Sequence, residues 1–276
     1  MTETNFQEEW LDIRYPFDAA ARNPKVHVQF EDHFSGYDQL RLWDIGSGTG
    51  NNFRYWFTKL AMPQEWRFIE LNEDLGRRSL EKVNGYIAST ASNHFTVEWK
   101  NESFLELSFG KGKNSKPHAI LANAVFDLLT PSMFTAFAEY LIDHNIPLLS
   151  TINFEGMEFM DGTYQDKYYV NCYIQHMNRI QDYGRTLGSD CNAFAKSFYE
   201  KRGIKHIFGQ SNWQIKETDS ALLLATLNYM SEAVPEMLPN DQEKHHFKDW
   251  LADKRRQVHE KKVRLIVYHY DWLVCP

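Results

Sequence analysis

The chain has 276 residues, 43% of them hydrophobic, and a formal net charge of −7. That length suits a single globular domain, and the acidic balance disfavours a nucleic-acid partner, because phosphate binding needs a basic surface. Three cysteines without metal spacing, an acidic, polar stretch from Met1 to Trp10 and the lack of any run as long as a membrane span predict a cytoplasmic protein with no signal peptide, no disulfide framework and no structural metal.

In chain order, residues 1–37 read as a helical cap in which Arg14, Asp18 and Arg22 fall four apart, the spacing of a salt-bridge ladder. Strands are predicted at Arg41–Ile45, Arg67–Leu71, Phe95–Lys100, Pro117–Ala122 and Pro147–Asn153. Helices fall between them: Asn51–Leu60, a stretch capped by Asn72 and running to Ala88, and one opened by Pro131 and running to His144. Residues 155–188, rich in Gly, Asp, Tyr and Asn, break the rhythm and read as an irregular insertion after the fifth strand. Ser189 then caps a helix to Arg202, Ile204–Ile215 is a strand pair or a bent strand, two helices reach Glu260, and Val263–Tyr270 is the final strand. Alternating strands and helices predict a single α/β domain over 1–276, with a parallel sheet and helices on both faces. Residues 38–154 and 189–276 supply the two halves of the sheet. Ligands then gather at the carboxyl ends of the strands, where Asp44, Glu70 and Asn123 are placed.

The run Leu42-Trp43-Asp44-Ile45-Gly46-Ser47-Gly48-Thr49-Gly50-Asn51 carries the most chemistry. An apolar strand ends in an acid, three glycines follow at alternate positions, and an amphipathic segment comes next. Glycine permits positive φ and close approach to the main chain, and a helix start presents free N–H groups. The dinucleotide fingerprint would need a third glycine where Asn51 stands, and no phosphate-loop Gly-Lys-Ser/Thr run exists. A second acid, Glu70, ends the next strand 20 residues beyond Gly50. A carboxylate there accepts both hydrogen bonds of a ribose diol; the bland alternative is a solvated loop glutamate.

This acid-x-G-x-G-x-G turn with a distal acid resembles motif I of the class I S-adenosylmethionine (SAM) methyltransferases. The resemblance implies a Rossmann-like sheet of seven strands, the last antiparallel beside the sixth. It also implies SAM as cofactor, with Asp44, Gly46, Ser47, Gly48, Gly50, Glu70 and Asn123 around it. Asn123 to Asp127 would face the methyl group. Neither Asn/Asp-Pro-Pro-Tyr/Phe nor Pro-Cys is present, which argues against nucleobase, glutamine and cytosine C5 targets. The runs Trp10–Arg22, Gln175–Arg179, Ser211–Trp213 and His269–Leu273 are also similar to those of a bacterial methyltransferase group, whose substrate the resemblance does not supply.

Methyl transfer needs alignment and, for a hydroxyl or protonated amine, a base. Asp127 is either substrate-facing or the N-cap of the next helix. His176 is the candidate proton acceptor, against its reading as a structural histidine. Arg14 and Arg22 either form the ladder or bind a carboxylate of cofactor or substrate. Asp166, Tyr168 and Arg179 lie in the insertion as candidate substrate contacts. The expectation is a monomeric or homodimeric enzyme methylating O or N of a small molecule. A protein or peptide methyltransferase and a catalytically silent SAM-binding module remain open alternatives, and Asn51 disfavours a dinucleotide oxidoreductase.

Overall fold

The computed structural model describes residues 3–89, 94–109 and 116–276, with side chains from Glu8 onward. Met1 and Thr2, where the polar N-terminal stretch begins, lie outside the described residues. Two helices open the chain, α1 (Glu3–Ala21) and α2 (Pro24–Phe34). Asn23 separates them; its side chain caps α2, and Pro24 takes the first turn, where a missing N–H costs nothing.

Five strands follow: β1 (Leu40–Ile45), β2 (Gln64–Ile69), β3 (Phe95–Lys100), β4 (Ala119–Asn123) and β5 (Leu148–Phe159). They pair in parallel in the order 3-2-1-4-5. The connecting helices are α3 (Asn51–Trp56), α4 (Glu73–Ala88) and α5 (Pro131–His144). β1 and β4 are apolar runs because helices cover both faces of the sheet.

The second half contains α6 (Tyr164–Met177), a small hairpin of β6 (Ile180–Gln181) and β7 (Gly184–Arg185), and α7 (Cys191–Lys201). β8 (Lys205–Gln210), β9 (Trp213–Ile215), α8 (Ser220–Met237), α9 (Asp241–His259) and β10 (Leu265–Cys275) complete it. β10 enters antiparallel between β5 and β8, the arrangement the resemblance implies for a class I methyltransferase sheet. Among the described residues the sheet has eight strands, because the stretch read as a strand pair or a bent strand is two strands, and β9 pairs with the first residues of β10.

The predicted insertion needs correction. β5 continues through Glu155 to Phe159, and α6 is a regular helix opened by a Thr163–Asp166 capping box. Its periodicity is weak in sequence because a polar residue, Asp166, lies on the buried face beside Tyr169, Val170 and Cys172. These pack with α8 and α9 around Phe247, Trp250 and the far half of β5. Fully burying a large apolar side chain contributes roughly 1.5–3 kcal/mol, enough to override a weak local signal. α1 lays Trp10, Ile13, Phe17 and Ala21, spaced three and four apart, on this added layer. That leaves Arg14, Asp18 and Arg22 on the neighbouring face, over the carboxyl edge of the sheet.

Candidate functional site

The glycine turn leaves β1 with Gly46, Gly48 and Gly50 at φ of 57°, 53° and 82°, a left-handed alternation that side-chain-bearing residues rarely adopt. A Cβ on Gly46 would stand 2.9 Å from Val125, and one on Gly48 2.9 Å from Leu11 of α1. Glu70 folds back onto this turn. Its Oε2 accepts from the Gly48 N–H and its Oε1 from the Asn72 N–H, each at 2.9 Å. Asn51 and Asn52 tie the turn to the cap: Asn51 Nδ2 donates to the Leu11 carbonyl at 3.0 Å, and Asn52 bridges Asp44 Oδ1 and Arg22 at 2.8 Å each.

Several polar atoms around the turn are buried and have no hydrogen-bond partner: Asp44 Oδ2, Ser47 Oγ, Thr49 Oγ1, and Nε and Nη1 of Arg22. Such atoms are costly unless something polar meets them. Burial pushes the Asp44 carboxyl up to about 7, although the Asn52 hydrogen bond and the Arg22 charge oppose it. Arg22 turns to Asn52 and lies 4.4 Å over the Tyr55 ring, so the i,i+4 ladder is realised only between Arg14 and Asp18, at 2.9 Å.

Asp18 is the hub of the next cluster. It is 1% exposed and accepts from Arg14, Asn123 and Trp213 at 2.9, 3.0 and 3.1 Å. Asn123 in turn accepts from Thr151 of β5 at 2.9 Å. Beyond this cluster lies a cavity of about 500 Å³. Its floor is the carboxyl edge of the sheet, where Ala124 and Ile152 hold φ of 55° and 56°. For a β-branched residue this is a genuine outlier. The register of β5 and β10 slips here, and Asp271 Oδ1 accepts the Ile152 N–H at 2.8 Å. Strain of this kind gathers at functional sites.

Asp127 reaches the cavity from the 3-10 turn after β4, and its Oδ1 has no partner. It is not the cap of α5; Thr130 is, accepting from the Met133 N–H at 3.2 Å. Burial raises the Asp127 carboxyl to about 6. His269, on β10, is pushed down to about 3 by burial and then by the Arg14 charge, so its ring is neutral. Burial pushes the Tyr229 phenol up to about 12 and the Tyr173 phenol upward as well.

The insertion candidates lie elsewhere. His176 places Nε2 2.9 Å from Glu236, and its Nδ1 accepts from Arg179 at 3.0 Å, so both ring nitrogens are engaged away from the cavity. Arg179 is held by the same pair, with Glu236 at 3.6 Å. Asp166 is 2% exposed and serves the helix cap, Trp250 and Lys254, the last two at 2.8 Å. Tyr168 packs edge-on against Tyr169 in the added layer. The polar groups of His176, Arg179 and Asp166 are thus engaged within the fold, and Tyr168 is half-buried beside Tyr169. Sequence reasoning passed over Asp18, Trp10, Trp213, Tyr229 and His269 as site residues. For all of these but Tyr229 the signal was the set of distant runs around Trp10, Ser211 and His269, which converge here.

Among the described residues no cluster of His, Cys, Asp or Glu is arranged to hold a metal ion, and no helix is long and apolar enough to cross a membrane. No family model and no curated protein matches the chain. Solved structures do resemble it. YcgJ of Bacillus subtilis has 9% identity over 92% of this chain and 99% of its own, with a TM-score of 0.48. The plantazolicin methyltransferase BpumL, solved with S-adenosylhomocysteine (SAH), has 12% identity over 98% and 89%, with a TM-score of 0.47. A SAM-dependent methyltransferase of Geobacter sulfurreducens, also solved with SAH, has 9% identity over 93% and 92%, with a TM-score of 0.46. At such identities the likeness is a loose one of chain path and says nothing of substrate.

Proposed function

We propose that the chain is a SAM-dependent methyltransferase that transfers a methyl group to oxygen or nitrogen of a small molecule. The observation that carries this reading is the glycine turn at the end of β1, ringed by buried polar atoms that lack partners, with a cavity at the ends of β4 and β5. The donor set suits the polar half of SAM. Arg22 has two unpartnered nitrogens for a carboxylate, and Asp44 Oδ2 suits an ammonium. Glu70 uses one lone pair of each oxygen on backbone N–H groups, and a carboxylate has about four, so two remain for a ribose diol. SAM, when bound, supplies a methyl group on a positively charged sulfur.

The protein's share is positioning and proton transfer. Asp18 fixes Arg14, Asn123 and Trp213 in one arrangement, and a preorganised wall of this kind holds an acceptor in line. Asp127, with a carboxyl near 6, is matched to take a proton at neutral pH. The Leu11 side chain of α1 packs over Gly48 and so covers the turn.

Isothermal titration calorimetry of the whole chain with SAM, SAH and NAD tests the reading. Micromolar binding of SAM and SAH without binding of NAD is expected. No heat with either sulfur ligand, or binding of NAD in their place, would overturn it.

A further inference from the structure

The cavity at the ends of β4 and β5 is a box of aromatic rings around one uncompensated acid. Trp10 stands 4.7 Å from Tyr229 and 6.1 Å from Trp213, and Trp213 stands 4.8 Å from His269. Phe154 and Tyr173, 6.3 Å apart, close the side towards α6. A volume of about 500 Å³ suits a small organic molecule.

The charges in this box do not cancel. Arg14 and Asp18 form a pair at 2.9 Å, and Asp18 is further held by Asn123 and Trp213, so together they are neutral. His269 carries no charge. Asp127 remains. The titratable groups acting on it are Arg14 from α1, Tyr173 from α6 and Cys191 from α7, with His269 of β10 and Tyr229 of α8 lining the same box. The tyrosines and the cysteine are neutral at physiological pH because burial raises each of them. With Asp127 ionised, the walls therefore carry one excess negative charge, and ring faces also attract cations. Arg14 Nη2 is buried without a hydrogen-bond partner, and its charge is already paired with Asp18.

Resting on the methyltransferase reading, we infer that the acceptor is an apolar primary or secondary amine, bound as its ammonium ion against Asp127 with its hydrocarbon body among the rings. Burial lowers the amine's own hold on its proton. Asp127 takes that proton and frees the nitrogen lone pair. The new N–C bond replaces the C–S bond of the sulfonium donor, the bonding pair stays on sulfur, and the positive charge ends on nitrogen. The product is again a cation in the same box.

Binding separates this proposal from the cofactor reading. The whole chain, saturated with SAH so that no transfer occurs, is titrated with phenethylamine, phenethyl alcohol and hydrocinnamate, which share a ring and a similar length. Tryptophan fluorescence reports binding, since Trp10 and Trp213 line the box. The amine is expected to bind about tenfold or more tightly than the alcohol, the yield of one charge-assisted contact, and the acid weakest. Asp127→Asn should erase the preference for the amine with SAH affinity unchanged. The unaltered protein gives the same test without a variant: the preference should shrink as pH falls through about 6 and Asp127 takes up a proton. Tightest binding of hydrocinnamate, equal or absent binding of all three, or a preference that survives both Asp127→Asn and acid pH overturns the amine assignment and leaves the cofactor reading standing. Failure of SAH itself to bind removes both.

Discussion

The two halves of the site are built in opposite ways. The glycine-turn half comes from a nearly continuous stretch, Asp44 to Asn72, and its geometry is local: three left-handed glycines, a helix start and an acid folded back on the turn. The cavity half is assembled from α1, the loop after β4, the far end of β5, α6, α8, β9 and β10. Its organising residue is Asp18, more than 100 positions from both Asn123 and Trp213. Local construction tolerates little change in backbone, whereas long-range construction depends on a few buried polar hubs. The two halves should therefore fail differently when altered.

The largest effect is expected at Gly48. Valine there must hold φ near 53° and drive a side chain into Leu11, so both the turn and the seat of α1 are lost. Gly48→Val should show no detectable heat with SAM by calorimetry while circular dichroism shows a folded protein. Wild-type affinity in this variant would detach the turn from cofactor binding.

Asp18 tests the other half. Asp18→Ala leaves Arg14, itself 8% exposed, as a buried charge without its partner, a loss of about 3–5 kcal/mol. Urea denaturation should show that loss, and binding of acceptor-site ligands should go with it. Asp166→Ala is the control: it strips Lys254 of a comparable buried partner, so stability should fall similarly while ligand binding stays. Loss of binding in both variants would mean the cavity is only a general reporter of stability.

Asp44 gives the glycine-turn half a pH signature. Its carboxyl is raised in the folded state to about 7, so the folded chain binds more protons than the unfolded one between roughly pH 4 and pH 7. The stability tied to this group is fully present below pH 4 and is lost as pH rises through 7. Asp44→Asn keeps an oxygen for Asn52 and does not titrate. Its stability relative to the parent should rise across that window by on the order of 3 kcal/mol, read by denaturation at pH 4 and pH 8. Asp166 has the opposite sign: burial alone would raise it, but hydrogen bonds from Lys254, Thr163 and Trp250 win and hold it low, so its contribution disappears on acidification. A flat difference for Asp44→Asn would mean that the carboxyl is not desolvated.

A smaller loss is expected at Glu70. Glu70→Ala removes a charged acceptor from the ribose, about 1.5–3 kcal/mol of affinity, equally for SAM and SAH. The same carboxylate holds two backbone N–H groups, so a drop in thermal stability should accompany it. Unchanged affinity for both ligands would reduce Glu70 to a brace of the turn.

The contrast between the halves also decides what the sequence reveals. Asp44 through Glu70 is legible because glycine spacing, helix caps and strand ends are local signals, and β1, β4 and α5 fall near their predicted places. β10 was expected to stop at Tyr270 and runs to Cys275, and α3 ends at Trp56 instead of Leu60. Helix α6 was illegible because its stability comes from Tyr169 and Val170 packing on residues some 80 positions away, and because Asp166 puts a polar group on the buried face. His269 and Trp213 lie in runs marked only by resemblance, with no local chemistry that joins them to one another. Only the tertiary path brings them to Arg14, and no spacing rule links positions 14, 127, 213 and 269.

His176 carries the smallest expected effect and the sharpest decision between the halves. Arg179 can only donate, so His176 Nδ1 accepts, and the ring is the neutral tautomer that donates from Nε2 to Glu236. Burial and then the Arg179 charge lower its affinity for a proton, which fits this assignment and leaves no lone pair facing the cavity. Glu236 is exposed and can turn to water once the histidine is gone. His176→Ala should therefore cost about 1 kcal/mol of stability, the net worth of an ordinary hydrogen bond, and leave SAM affinity unchanged. Turnover of an acceptor should stay within about twofold, whereas loss of a general base costs about 10²–10⁴-fold in kcat. A drop of that size, with stability intact, would return proton removal to the helix after β5 and take it from Asp127.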